Sequence, residues 1–171
     1  MKFRIAAALA IATAVLAGCA STSNQKLTDP QIAMIMRVTN LSAVRESEMA
    51  REKAADTAVR DFAVKVVSDR SAQNSKAEAA LAEANVFSED TPRSRALDAA
   101  SGAAVQKLEP LAGEYFDRAY VDRQVDALQN TLNLVDTTLA PAAKHKVLRR
   151  QLSDLHALVE KELTAARALK K

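Results

Sequence analysis

Four kinds of residue in this chain could carry chemistry: a lone cysteine, two histidines, a scatter of carboxylates, and one arginine and one glutamate that interrupt apolar stripes. Cys19 is the single cysteine of the 171 residues, so an internal disulfide and any cysteine-rich metal site are excluded. His145 and His156 are the only histidines. A di-iron bundle needs about four carboxylates and two histidines, with Glu-x-x-His spacing on two helices. Here Ala142 and Ser153 stand three residues before the histidines, so that spacing is missing. Both rings read as members of a solvated helix face, and Asp98, Asp117, Asp122 and Asp126 as solvated or capping acids. Tyr115 and Tyr120 read as packing residues with hydroxyls at the edge of the fold. There is no phosphate-cradling glycine loop, Gly-x-Ser-x-Gly elbow or His-Glu-x-x-His. No catalytic residue, metal ligand or cofactor is expected.

Arg70 and Glu162 are different. Each falls where the helical period places an apolar residue. A lone charge there is costly, and charges so placed find partners. They are expected to pair across two helices as a buried ion pair; the competing reading lets both side chains reach water along a slightly rotated stripe.

Cys19 gains its meaning from what precedes it. Lys2 and Arg4 open the chain, and Ile5 to Leu16 is an uncharged apolar run of twelve residues. That run is too short to span roughly 30 Å of hydrocarbon, and basic start, short apolar run and small residues are the parts of a secretory signal. Leu16-Ala17-Gly18-Cys19 resembles the bacterial lipobox. The resemblance implies cleavage between Gly18 and Cys19 and acylation of Cys19, by palmitate and similar chains. Several acyl chains, at about 0.8 kcal/mol per buried CH₂, hold a protein on a bilayer. Ala20 follows in place of an inner-membrane retention Asp, which favours the periplasmic face of the outer membrane. Residues 1–18 are therefore expected as lipoprotein signal peptide, 19–28 as lipidated Cys and tether, and 29–171 as the folded domain.

The elements that must position these residues are helical. Glycine and proline are sparse, at three and four, and aromatics are only 4%, so an Ala/Leu/Val core is expected. Between Phe116 and Leu139 the residues Val121, Val125, Leu128, Leu132, Val135 and Leu139 recur in steps of four and three, the seam of a helix lying on other helices. Asp29-Pro30, with Asp29 as N-cap and Pro30 at the first helical position, and Asp90-Thr91-Pro92 are start signals. The first helix is expected from Asp29 to about Ala55 and the second from Thr57 to about Val86. A short third helix runs to about Leu108, buried along Leu97, Ala100, Ala104 and Leu108. The fourth carries the seam and ends near Pro141; the fifth runs from about Ala143 to Leu169. Short turns between such elements imply an all-α, up-down four-helix bundle with one extra short helix. The net charge is +3, and Lys2 and Arg4 account for two of those charges, so nucleic acid is not an expected partner.

Asp29-Pro30-Gln31-Ile32-Ala33, Phe62-Ala63 with Val66-Val67-Ser68-Asp69, and above all Phe116-Asp117-Arg118-Ala119-Tyr120-Val121-Asp122, followed by Val125 and Asp136-Thr137-Thr138-Leu139, resemble the bacterial "domain of unknown function 4142" family over about residues 29–169. The resemblance implies a ferritin-like helical bundle in the cell envelope and no established activity. It also implies that positions where relatives often carry inward His or Glu are here Ala43, Arg70, Leu128, Glu162 and Ala165. Only one acid remains among them, which counts against a carried-over metal role. The expectation is a lipid-anchored envelope protein, a structural or interaction module without catalysis. Its partners would be the membrane through Cys19, an unknown envelope protein, or a second copy. A ferritin-like metal or small-molecule binding protein is the alternative.

Overall fold

In the computed structural model, residues 26–170 are described; the leader, Gly18 and Cys19 lie outside the described residues. Five helical rods carry the fold: α1 (Asp29–Lys53), α2 (Thr57–Glu83), α3 (Pro92–Leu108), α4 (Gly113–Leu134), which continues through a π-helical turn (Val135–Leu139) into α5 (Ala140–Ala142), and α6 (Lys146–Ala168). No strand occurs among the described residues. The chain is an all-α, up-down bundle of four long rods with one extra short helix, α3.

Local chemistry sets the ends. Thr28, not Asp29, caps α1: Gln31 N donates to Thr28 Oγ1 and Thr28 N donates back to Gln31 Oε1, a reciprocal box. The extended backbone of Thr28 turns its hydroxyl toward the first helical N–H groups, which leaves Asp29 free for another task. Its carboxylate accepts from Lys144 N at 2.8 Å and His145 N at 2.9 Å, stitching the start of α1 to the start of α6. Thr91 and Ser94 form a second such box at α3. Beyond α2, Asn85 takes φ +57° while Val86 N bonds Leu81 O and Asn85 N bonds Ala82 O, the paired bonds of a Schellman stop with Asn in glycine's place. Gly113, at φ +55°, makes the corresponding left-handed turn into α4.

Pro141 does not end its rod at once. Proline lacks an N–H and crowds the carbonyl four residues back. The wider π turn immediately before it, with Ala140 N bonded to Val135 O, absorbs that clash, and the rod runs on to Ala142.

α1 lies along α2, α2 along α6, and α6 along α4. The fourth side, between α1 and α4, is the loosest, and α3 lies against it, mostly on α1. Five of the six seam residues are buried and Val125 is half-buried. Leu148, Leu152, Leu155 and Val159 of α6 face them with essentially no exposure. Each such side chain stabilises the fold by roughly 1.5–3 kcal/mol. The buried side of α3 matches the expected stripe only in part: Leu108 is buried and Leu97 and Ala104 are half-buried, but Ala100 is exposed and Ser94 and Ser101 are buried instead. A helix packed on the outside of a bundle covers a narrow strip, and here that strip is rotated by about one residue.

Candidate functional site

The interior of the bundle holds charge. Arg70 of α2 is 1% exposed and Glu162 of α6 is 4% exposed. Arg70 Nη2 lies 2.5 Å from Glu162 Oε2, and Arg70 Nε donates to Oε2 at 2.9 Å and to Oε1 at 3.1 Å. The two residues meet across α2 and α6 rather than reaching water. Arg70 Nη1 donates to Asn40 Oδ1 at 3.2 Å, Asn40 Nδ2 donates to Gln73 Oε1, and Gln73 Nε2 reaches the Gln151 carbonyl at 3.5 Å. One chain of hydrogen bonds thus ties α1, α2 and α6 together at mid-bundle.

A second polar cluster lies toward α4. Glu46, 2% exposed, accepts from Arg123 Nε at 3.0 Å and Nη2 at 2.8 Å, and from Gln124 Nε2 at 3.2 Å. These bonds bridge α1 and α4 across the loosest side. Tyr120 is fully buried, with its hydroxyl 2.8 Å from Ser47 Oγ. The expectation of a hydroxyl at the bundle edge is therefore corrected: the fourth-helix seam is wide enough to take the whole ring inside. Burial pushes the Tyr120 phenol well above its usual range, so it stays protonated. Asp117 is buried as well, and its carboxylate accepts from Ala55 N and Asp56 N at 3.0 and 2.8 Å, capping the α1–α2 turn.

Two concavities approach the charge pair from opposite sides. A cavity of about 220 Å³ lies beneath α3, with Thr39, Ser42, Ala43, Arg70, Arg123 and Leu128 on its wall. A groove of about 360 Å³ between α2 and α6 has Phe62, Lys65, Asp69, Leu158, Glu162 and Ala165 on its wall. The Arg70–Glu162 pair stands between them as a partition. Of the five positions at which relatives are expected to carry His or Glu, Ala43, Arg70 and Leu128 line the cavity and Glu162 and Ala165 line the groove, so only the Arg70–Glu162 contact joins the two groups. The residues present are two alanines, a leucine and a closed ion pair.

Burial raises the Glu162 carboxyl above its ordinary value of 4.5, and the Arg70 guanidinium offsets only part of that. A carboxyl whose folded value is raised binds more protons folded than unfolded in that window. Its contribution to stability is therefore fully present below about pH 4.5 and is lost as pH rises through the folded value. Urea unfolding of the wild type is expected to show this falling component above about pH 4.5, and Glu162→Gln to remove it. A wild-type component that rises with pH would contradict the assignment.

The two histidines take separate places. His145 is half-buried and caps α6, its Nδ1 accepting from Val147 N at 3.3 Å, so it is not on a solvated face as expected. The turn out of α5 places its ring at the helix start. His156 lies at the surface of α6, 3.2 Å from Asp136. Asp98 pairs with Arg45 and Asp122 with Lys170 on the outside. No cluster of three or more His, Cys, Asp or Glu able to hold a metal occurs among the described residues. Asn40, Glu46, Gln73, Gln124 and Gln151 escaped the sequence reading. A signal was there: each stands three or four residues from a stripe member on its own helix, at Met36, Ala50, Ala77, Val121 and Leu148.

The family model described as "Domain of unknown function (DUF4142)" matches residues 14–169. Among solved structures, the crystal structure of a DUF305 protein from Streptomyces coelicolor, whose description calls it secreted, is similar with a TM-score of 0.68. It is 17% identical, over 82% of this chain and 90% of that one, a likeness in fold alone. No curated protein matches this chain.

Proposed function

We propose, from the premise that this chain belongs to the DUF4142 family, that it is a lipid-anchored envelope protein whose bundle serves as a structural or interaction module in the periplasm, without catalysis. The observation that carries this reading is the closure of the interior. Glu162 is held by Arg70, Glu46 by Arg123 and Gln124, and Asp117 by two backbone N–H groups. Buried charge here is used in joining helices to one another. What remains for function is the outer surface and the anchor.

The anchor reading rests on Leu16-Ala17-Gly18-Cys19 and the run before it. The DUF305 neighbour's description as secreted supports export. No described helix is long and apolar enough to cross a membrane. Ala20 favours the outer membrane, and its periplasmic face is where the bundle would stand.

Intact-mass measurement of the protein extracted from membranes is expected to show loss of residues 1–18 and an acylated Cys19, with Cys19→Ser abolishing both. An unmodified thiol, or a retained leader, overturns the anchor. Metal analysis of the same preparation tests the ferritin-like alternative: stoichiometric iron, manganese or zinc that disappears in Glu162→Ala would replace the module reading with a binding one.

A further inference from the structure

The up-down topology gathers one set of chain ends beside the point where residue 26 enters the fold: the α2–α3 loop at 84–91 and the α5–α6 turn at 143–145. Three bonds hold them there. Glu89 N donates to Pro30 O at 3.0 Å, and the Asp29 carboxylate holds Lys144 N and His145 N. This end carries a basic surface. Lys144, Lys146 and Arg150 are exposed, and none stands in an ion pair among the described residues. The acids nearby are largely engaged: Asp29 with the α6 start, and Asp90 with Ser94 and Arg95. Among the described residues, Glu83 and Glu89 stand in no ion pair.

The same end presents Phe87, 65% exposed. The Schellman stop of α2 and the burial of Val86 fix the neighbouring backbone, so Phe87 is held outward rather than left in a loose loop. At the opposite end Tyr115 is exposed too, at the start of α4, where Lys170 pairs with Asp122 and Lys53 reaches the Glu109 carbonyl.

We infer that the end of the bundle bearing Phe87, Lys144, Lys146 and Arg150 lies against a bilayer that contains anionic phospholipid. Phe87 enters the headgroup boundary and the three cations meet lipid phosphates. The inference deepens the anchor reading and rests on it. Seven residue steps separate Cys19 from Lys26, and a chain of that length spans at most about 25 Å even fully extended. An acylated Cys19 therefore holds this end, and not the other, within reach of the headgroups. An aromatic side chain flanked by Lys and Arg is the composition that seats a surface in that boundary. Each cation near an anionic surface strengthens attachment about fivefold.

The test uses the chain from Ala20 onward, which lacks the acylated residue and keeps every described residue, with co-sedimentation on vesicles of phosphatidylcholine alone or mixed with phosphatidylglycerol. Binding to the mixed vesicles only is expected, weakened by salt. Replacing Lys144, Lys146 and Arg150 by Gln should lower it about a hundredfold, and Phe87→Ala about fivefold. Replacing Lys107, Arg118 and Lys161, away from this end, by Gln removes the same charge and should change it little; circular dichroism checks that each variant folds. Absence of binding, or an equal loss in both triple variants, overturns the inference while the mass of Cys19 decides the anchor separately. A dimer that depends on Phe87 in the absence of vesicles would assign the surface to a second copy and overturn it too.

Discussion

Glu162→Ala is expected to lower the free energy of unfolding by roughly 3–5 kcal/mol, because it leaves the guanidinium of Arg70 charged and unpaired inside the bundle. Arg70 is 1% exposed and has only the Asn40 carbonyl oxygen as a further described acceptor. Domains of this kind have about 5–15 kcal/mol in total, so the variant should sit near the edge of folding, with its urea midpoint sharply reduced at unchanged slope. The companion experiment separates the partnership from its parts. With Arg70→Met and Glu162→Leu together, no charge remains to be stranded, and stability should return to within about 1 kcal/mol of wild type or exceed it. The raised Glu162 carboxyl points the same way: contact with Arg70 does not fully offset the loss of water. A single variant as stable as wild type would show that Arg70 reaches solvent. A double variant as weak as the single would show that the pair is a net source of stability.

Phe116→Ala should be comparably damaging, at roughly 3–5 kcal/mol. The ring is fully buried and lies parallel to Tyr120, with centroids 6.2 Å apart. Lys53 sits over it at 5.3 Å, and Tyr120 in turn meets Phe62 of α2. Truncation opens a void at the point where α1, α2 and α4 converge, and helices already tied by Asp117 and Ser47 have little freedom to collapse into it. Thermal or urea unfolding measures the loss, and a change below about 1 kcal/mol would mean that the neighbours repack.

These two sites explain the run Phe116-Asp117-Arg118-Ala119-Tyr120-Val121-Asp122. Phe116, Asp117, Tyr120 and Val121 are its buried members. They do structural work: a stacked ring, a cap for the neighbouring turn, a hydroxyl for Ser47, and a seam residue. The run identifies a fold because it locks one end of that fold.

Much of the architecture was legible because apolar periodicity and Pro-led starts are local signals. The helix seam, the five rods and the interruption of two stripes by Arg70 and Glu162 can be read from spacing alone. What escaped depends on atoms far apart in the chain. Asp29 looks like the cap of its own helix until Lys144 and His145 arrive beside it. Asn40 and Gln73 look like exposed side chains until Arg70 donates to Asn40 and Asn40 in turn to Gln73. The π turn follows from Pro141, but spacing does not say whether a rod stops at a proline or widens ahead of it. The rotation of α3 escaped because a helix touching its neighbours along one narrow strip leaves little imprint on composition.

The double bond from Asp29 to the α6 start also has a mechanical side. Tension arriving along the N-terminal segment does not enter α1 alone. It divides at once between the first and last rods, whose starts are clipped together at the point of entry. Pulling along the long axis would have to slide both helices past α2 and α4 in shear, rather than peel one away turn by turn. A bundle with that load path resists being unravelled from its N-terminal end.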